Sequence, residues 1–310
     1  MQRCGGFLCC GAAVALWAVV GQSLEAQQTP AADGIAMVSL GGHAVRVQVL
    51  GLRARRPGTP FVVFEAGATN PLEVWGGIVR QVATIAPVVA YDRAGLGRSE
   101  WDNTIPMPRH VADRLRRLLQ QIDAGPPDVL VGYSWGGMLA RYFAGYYPRD
   151  VTGLVLVDPG PMVTQPLADN LGPFDVVGAG RAGYDAYWST FAAILEGASP
   201  AVRAEFQVFR RLMETDLENR DLRPVPDVPI VVIVAAKYLA VPGIQLPYDP
   251  QAHFRADLRY RLRILQEWAL ASQHGTLVMS NHTTHAVTRE DPGLVASAVQ
   301  RILATVSNPP

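Results

Sequence analysis

Cysteine is scarce in this chain and confined to one place. The 310 residues contain three, Cys4, Cys9 and Cys10, all inside an N-terminal stretch unlike the rest. Beyond that stretch no thiol is available to form a disulfide or act as a nucleophile, which excludes disulfide scaffolds and cysteine hydrolases. An excess of either charge is also lacking: 27 Lys and Arg stand against 27 Asp and Glu. Electrostatics therefore gives no reason to expect a nucleic-acid or anionic-membrane partner, and a small molecule is the expected one. Long apolar runs are missing too. Phe7 to Val20, interrupted by Gly11 and preceded by Arg3, falls short of the roughly 20 residues that span a bilayer. With small residues at Ser23 and Ala26 behind it, residues 1–26 read as a signal peptide, and the expected location is periplasmic or secreted. Cys9 and Cys10 lie near the beginning of the run rather than after small residues at its end, which argues against a lipid anchor.

What is present is enough apolar material, 49% of residues against 17% charged, for one sizeable core with a modest insertion. No internal repeat or low-complexity tract is visible. From Gly34 onward, β-rich runs alternate with helical patterns, the mark of a mostly parallel sheet joined by crossover helices. Ile35–Leu40 and Ala44–Leu50, separated by Gly41, Gly42 and His43, predict an antiparallel hairpin at the sheet edge. The runs Phe61–Phe64, Val88–Tyr91, Val129–Val131, Leu154–Val157, Ile230–Ala235 and Thr276–Met279 predict strands buried on both faces. Val111, Leu115, Leu118, Leu119 and Ile122 repeat at helical spacing, with Gly125-Pro126-Pro127 to end the helix; His110 at its start reads as a solvated residue. Residues 160–228 lack a strong strand but carry Phe174, Tyr184, Tyr187, Trp188, Phe191, Phe206 and Phe209 on helix-compatible stretches, so a helical cap with its own small aromatic core is expected.

The sharpest motif is Val129-Leu-Val-Gly132-Tyr-Ser134-Trp-Gly136-Gly137, a strand, then G-x-S-x-G, then a helix running to about Tyr147 and stopped by Pro148. A serine in so tight a strand-to-helix turn needs small residues two positions to either side, because the backbone approaches itself there. Its hydroxyl then stands at a helix N-terminus, whose free N–H groups favour developing negative charge.

Here the chain, from about Gly34 to its end, resembles the α/β-hydrolase superfamily. The resemblance implies an eight-stranded, mostly parallel sheet covered by helices, with core segments 34–159 and 229–307 and the cap at 160–228. Phe61-Val-Val-Phe-Glu65-Ala66-Gly67-Ala68 is similar to the family's oxyanion loop in its Glu-x-Gly form, implying an oxyanion hole built from the N–H groups of Ala68 and Trp135. Glu65 would then be a structural acceptor for loop amides, or an acid on the substrate side. Tyr91-Asp92-Arg93-Ala94-Gly95-Leu96-Gly97-Arg98-Ser99 is similar to the family's next turn; without Gly-Lys-Ser/Thr or G-x-G-x-x-G it is no nucleotide loop, and Asp92 with Arg93 reads as a structural pair bracing the elbow.

The family places its catalytic histidine after the last strand, about seven residues before a helix-opening proline, and His285 has that relation to Pro292. Nearby His282 reads as a pocket wall or supporting residue; a metal shared by the two histidines has helical spacing behind it but no partnering carboxylate motif. The orienting acid is less plain, because the seventh strand ends Ile230-Val-Val-Ile-Val-Ala-Ala-Lys237-Tyr238 with no acid nearby. Asp158, ending the preceding strand, is the expected acid, with a loop-capping role as its alternative and Asp249 in reserve.

These residues imply two-step acyl transfer on Ser134, cleaving a carboxylic ester or lactone, with no metal or organic cofactor. Dehalogenase and epoxide-hydrolase chemistry would need Asp at the nucleophile. Gly-x-Ser-Trp-Gly also resembles proline-type aminopeptidases, whose acidic amine pocket would draw on Glu65, Glu196, Glu205 or Glu214. A binding protein that kept the fold without turnover is the third reading.

Overall fold

The computed structural model describes residues 33–160, 166–191, 195–215, 222–240 and 243–307, so the expected signal peptide lies outside the described residues. Eight strands form one sheet: β1 (Gly34–Leu40), β2 (His43–Leu50), β3 (Phe61–Glu65), β4 (Val88–Tyr91), β5 (Asp128–Tyr133), β6 (Val151–Val157), β7 (Ile230–Ala235) and β8 (Gly275–Ser280). Their order is β1-β2-β4-β3-β5-β6-β7-β8. The pairings of β2 with β1 and with β4 are antiparallel, and the rest are parallel. Every expected strand is present, and the hairpin lies at the edge as its turn glycines implied.

Alternation along the strands divides the core in two. Phe61, Val63, Leu130, Leu154, Leu156, Val232 and Val234 face one side, packed with α2 (Pro108–Gln121), α3 (Trp135–Tyr146) and α7 (Pro250–Leu270). Val62, Phe64, Val129, Val131, Val155, Val157, Val231 and Ile233 face the other, against α1 (Ile78–Ala83), the short α8 (Val287–Glu290) and α9 (Pro292–Ser307). Burial on both faces is why these strands read as unbroken apolar runs. The run at Thr276–Met279 departs from that expectation. It forms β8 at the sheet edge, with Met279 49% exposed, since an edge strand has a neighbour on one side only. No described helix is long and apolar enough to cross a membrane.

Between β6 and β7 the described residues form α4 (Pro166–Val176), α5 (Gly180–Ser189) and α6 (Pro200–Glu214). Ser199 starts α6, its side chain accepting the Val202 N–H at 3.2 Å, with Pro200 at the first helical position. Phe174, Tyr184, Trp188 and Met213 make a separate buried cluster, onto which Phe191, Phe206 and Phe209 pack.

One glycine records how tightly a helix meets the sheet: a Cβ on Gly153 of β6 would stand 2.3 Å from Ile302 Cγ2 of α9. Gly153→Ala is expected to overpack this contact and destabilise the fold by about 1–3 kcal/mol, measured as a lower urea midpoint at unchanged slope.

Candidate active site

The register of the central strands brings the candidate residues together. Tyr133 of β5 pairs with Val157 of β6, so Ser134 and Asp158 are the next residues on adjacent parallel strands. Glu65, the last residue of β3, pairs with Gly132, which sets residues 66–69 beside the elbow. His285 follows β8, beyond β7, at the same carboxyl end of the sheet where open α/β sheets build sites.

At the elbow Ser134 has φ 54° and ψ −120°, a strained conformation for a residue with a Cβ, costing about 1–3 kcal/mol. Its N–H donates to Val157 O at 2.9 Å, tying the turn to β6. A Cβ on Gly132 would meet Gly136 O at 2.4 Å, and one on Gly136 would meet Glu65 O at 2.0 Å. The two glycines are thus required by backbone crossing backbone.

His285 Nε2 lies 2.9 Å from Ser134 Oγ, and its Nδ1 lies 2.6 Å from Asp158 Oδ2. The imidazole is exposed whereas Asp158 is buried, with side-chain exposures of 59% and 2%. The other oxygen of Asp158 accepts from the Ala235 N–H and from Arg261 Nη1 of α7, both at 2.9 Å. Burial alone would raise the Asp158 carboxyl; the Arg261 charge, the His285 hydrogen bond and the Ala235 N–H outweigh it and hold the group down to about 2. Asp158 therefore stays ionised, which fixes Nδ1 as the donor and leaves Nε2 free to take a proton from Ser134. The His285 loop is held in turn by Tyr133, whose hydroxyl donates to His285 O at 2.8 Å, and by Glu290, which accepts from the Thr284 N–H and hydroxyl.

The reserve acid Asp249 is not brought here. It caps α7, accepting from the Gln251 and Ala252 N–H groups. His282 is exposed and bonds Asp291 Oδ2 through Nε2 at 2.8 Å, a loop contact rather than a pocket wall. Among the described residues there is no group of three or more His, Cys, Asp or Glu side chains placed to hold a metal. His110 pairs with Asp102 at 2.9 Å, beside Arg114.

Two expectations need correction. Asp92 and Arg93 do not pair with each other, because successive residues leaving a strand point to opposite sides. Asp92 is fully buried and accepts from the Leu72 and Arg98 N–H groups and from Arg46. Arg93 turns the other way and meets Glu65 at 2.7 Å and Glu205 of α6 at 2.7 Å. Glu65, expected as an acceptor for loop amides, instead binds Arg93 and the Tyr91 hydroxyl. Its carboxyl is raised by burial, opposed by the Arg93 charge. Trp135 directly follows the serine, and the loop that leads to Ala68 lies against the start of α3, where a Cβ on Gly136 would meet Ala66 O at 2.4 Å; among the described residues neither the Ala68 nor the Trp135 N–H has a hydrogen-bond partner, that of Trp135 because it opens α3.

Arg261 escaped sequence reasoning. Its spacing from Asp257 reads as an ordinary i,i+4 surface pair, and that pair exists, at 3.0 Å, alongside the buried contact to Asp158. Glu205 left a legible trace: with Ala201, Val208 and Leu212 it completes a buried stripe on α6, an odd place for a carboxylate.

Residues 59–222 match the family model described as alpha/beta hydrolase fold. The chain is 30% identical over 134 residues to the probable transporter efuK of Hormonema carpetanum, a match covering 42% of this chain and 19% of that protein. It is 34% identical over 96 residues to the pimeloyl-[acyl-carrier protein] methyl ester esterase of Edwardsiella ictaluri, covering 31% and 35%. Only about a fifth to a third of these relatives' length is therefore matched. Among solved structures, a haloalkane dehalogenase DbeA-M1 loop variant from Bradyrhizobium elkanii superposes with TM-score 0.64 at 16% identity, over 88% of this chain and 97% of that one.

The depressed Asp158 carboxyl gives a signed expectation. Since its folded-state pKa lies below its ordinary value, its contribution to stability is complete above the usual carboxylate range and lost as pH falls towards about 2. The stability difference between wild type and Asp158→Asn, from urea unfolding at successive pH values, should therefore shrink by on the order of 2 kcal/mol between pH about 5 and about 2.

Proposed function

The chain belongs to the α/β-hydrolase fold family, and from that premise we propose that it is a serine hydrolase cleaving a carboxylic ester, lactones included. The observation that carries the reading is the unbroken hydrogen-bonded line from Ser134 Oγ through His285 to Asp158. Ser134 Oγ attacks the ester carbonyl carbon as its proton passes to His285 Nε2. The carbonyl π pair moves onto oxygen, and the N–H groups of Ala68 and Trp135 receive that oxyanion. Collapse of the tetrahedral adduct breaks the bond to the alkoxy oxygen, which takes the proton from His285; the alcohol then departs, or from a lactone stays tethered to the acyl group. Water, deprotonated by the same imidazole, then releases the acyl group from Ser134. Asp158 remains an anion throughout and stabilises the imidazolium.

An ester also fits the name of the Edwardsiella relative, a methyl ester esterase. The aminopeptidase reading finds less support. Glu65 and Glu205, two of the acids it would recruit for a free amine, are buried against Arg93, and Glu214 pairs with Arg210. In this reading α4, α5 and α6 act as a cap over the serine, and residues 1–26 direct export.

Hydrolysis of p-nitrophenyl esters of graded acyl length tests the proposal. Wild type should turn over at least one ester, and Ser134→Ala, checked for folding, should lose at least about 10³-fold in kcat/KM. Labelling by a fluorophosphonate should likewise need Ser134. A well-folded wild type that hydrolyses no ester and takes no label would overturn the reading.

A further inference from the structure

Arg93 is buried, and each of its five N–H donors has an acceptor. Nε meets Glu205 Oε2 at 2.7 Å; Nη1 meets Glu65 Oε1 at 2.7 Å and Ala66 O at 2.6 Å; Nη2 meets Gly67 O at 2.6 Å and Glu205 Oε1 at 2.9 Å. The grip on Gly67 O matters most. That carbonyl and the Ala68 N–H belong to one planar trans peptide, in which C=O and N–H point in opposite directions, so holding the oxygen aims the hydrogen. On the far side of Ala68, the Thr69 N–H donates to Glu205 Oε1 at 2.6 Å. The peptides to either side of Ala68 are thus held by Arg93 and by Glu205.

Glu205 comes from α6, 112 residues away from Arg93 in sequence, and it does not act alone. One turn further along the same helix face, the Phe209 ring packs edge-on to Trp135, with centroids 5.4 Å apart. One turn earlier, Ala201 sits so close to the Arg93 turn that a Cβ on Gly95 would come within 2.2 Å of its own Cβ. A single stripe of α6 therefore rests on the turn carrying Arg93, on the loop carrying Ala68, and on the residue that follows the serine.

We propose that Arg93 and Glu205 are positioning residues for the oxyanion hole, Arg93 aiming the Ala68 N–H through the Gly67 carbonyl and α6 holding that arrangement through Glu205. This rests on the serine-hydrolase reading, and it gives the inserted helices a part in turnover besides shaping a pocket. If α6 moves away it takes two acceptors from Arg93, and the Ala68 N–H loses its fixed direction.

Arg93→Lys keeps the charge but has three donors for five acceptors. Glu205→Gln keeps an acceptor for Thr69 and turns an NH₂ toward Arg93 Nε. Both would be compared with wild type for kcat and KM on the best p-nitrophenyl ester, and for Ki of the matching trifluoromethyl ketone, which forms a tetrahedral oxyanion adduct on Ser134. Arg93→Lys should lower kcat on the order of 10- to 100-fold, with KM within about threefold, and the ketone Ki should rise by the same factor. Glu205→Gln should shift both in the same direction by about tenfold and decides alone if Arg93→Lys does not fold. Folded variants whose kcat and ketone Ki stay within about threefold of an active wild type would overturn the proposal alone, as would a loss confined to KM. A wild type that neither hydrolyses the ester nor binds the ketone would overturn the serine-hydrolase reading and the proposal with it.

Discussion

The crossing of backbone on backbone at the elbow is the constraint on which the site depends. β5 must turn into α3 within a residue or two, with β3 on one side and β6 on the other, and no room remains for side chains at positions 132 and 136. This forces Ser134 into positive φ and lifts its hydroxyl off the sheet. It also lays the chain after β3 against the start of α3, since the atoms a Cβ on Gly136 would strike are the carbonyls of Glu65 and Ala66. Ser134 and the loop after β3 are thus positioned by one steric fact. The strain of about 1–3 kcal/mol at Ser134 is sustained because the Val157 carbonyl, the two glycines and the buried strands leave the turn no other path.

A second constraint is electrostatic. Asp158 is a carboxylate in the interior, which is tolerable only with partners for both oxygens. One oxygen serves the imidazole; the other takes a strand N–H and the Arg261 guanidinium. Arg261 ties the acid to α7, packed on the opposite face of the sheet from α9, so the acid's position is shared between β6 and a helix that begins more than ninety residues later. Glu65, Arg93 and Glu205 repeat the pattern on the other side of Ser134, where two buried carboxylates and one guanidinium bind a strand end, a turn and an inserted helix. In both clusters an arginine does what a lysine point charge does not, meeting several acceptors at once in a fixed plane.

Much of this was legible beforehand because it is local. Unbroken apolar runs marked strands covered on both faces, and the hairpin glycines marked the edge. The G-x-S-x-G spacing carried the elbow because its glycines answer a steric demand arising within five residues. His285, through its relation to Pro292, and Asp158, at a strand end with Asp249 in reserve, were expectations of the family resemblance rather than of local pattern. Misreadings arose where a partner stood across the fold. Thr276–Met279 looked like its neighbours in composition, yet it has no strand on its outer side. Asp92 and Arg93 looked like a pair because they are adjacent, and strand alternation sends them apart. Arg261 gave no signal at all, because its i,i+4 spacing from Asp257 does not say what else a long guanidinium can reach.

The sequence by itself determined the sheet and the serine's elbow, because periodicity and steric demand act over a few residues and leave their mark there. Only the tertiary structure decided that Asp158 rather than Asp249 meets His285, that Arg261 meets Asp158 and that Glu205 meets Arg93. Buried charge seeks whatever counter-charge packing brings within about 3 Å. Across separations of 103 residues from Asp158 to Arg261 and 112 from Arg93 to Glu205, a linear reading names no partner, even where the buried stripe of α6 marks Glu205 itself.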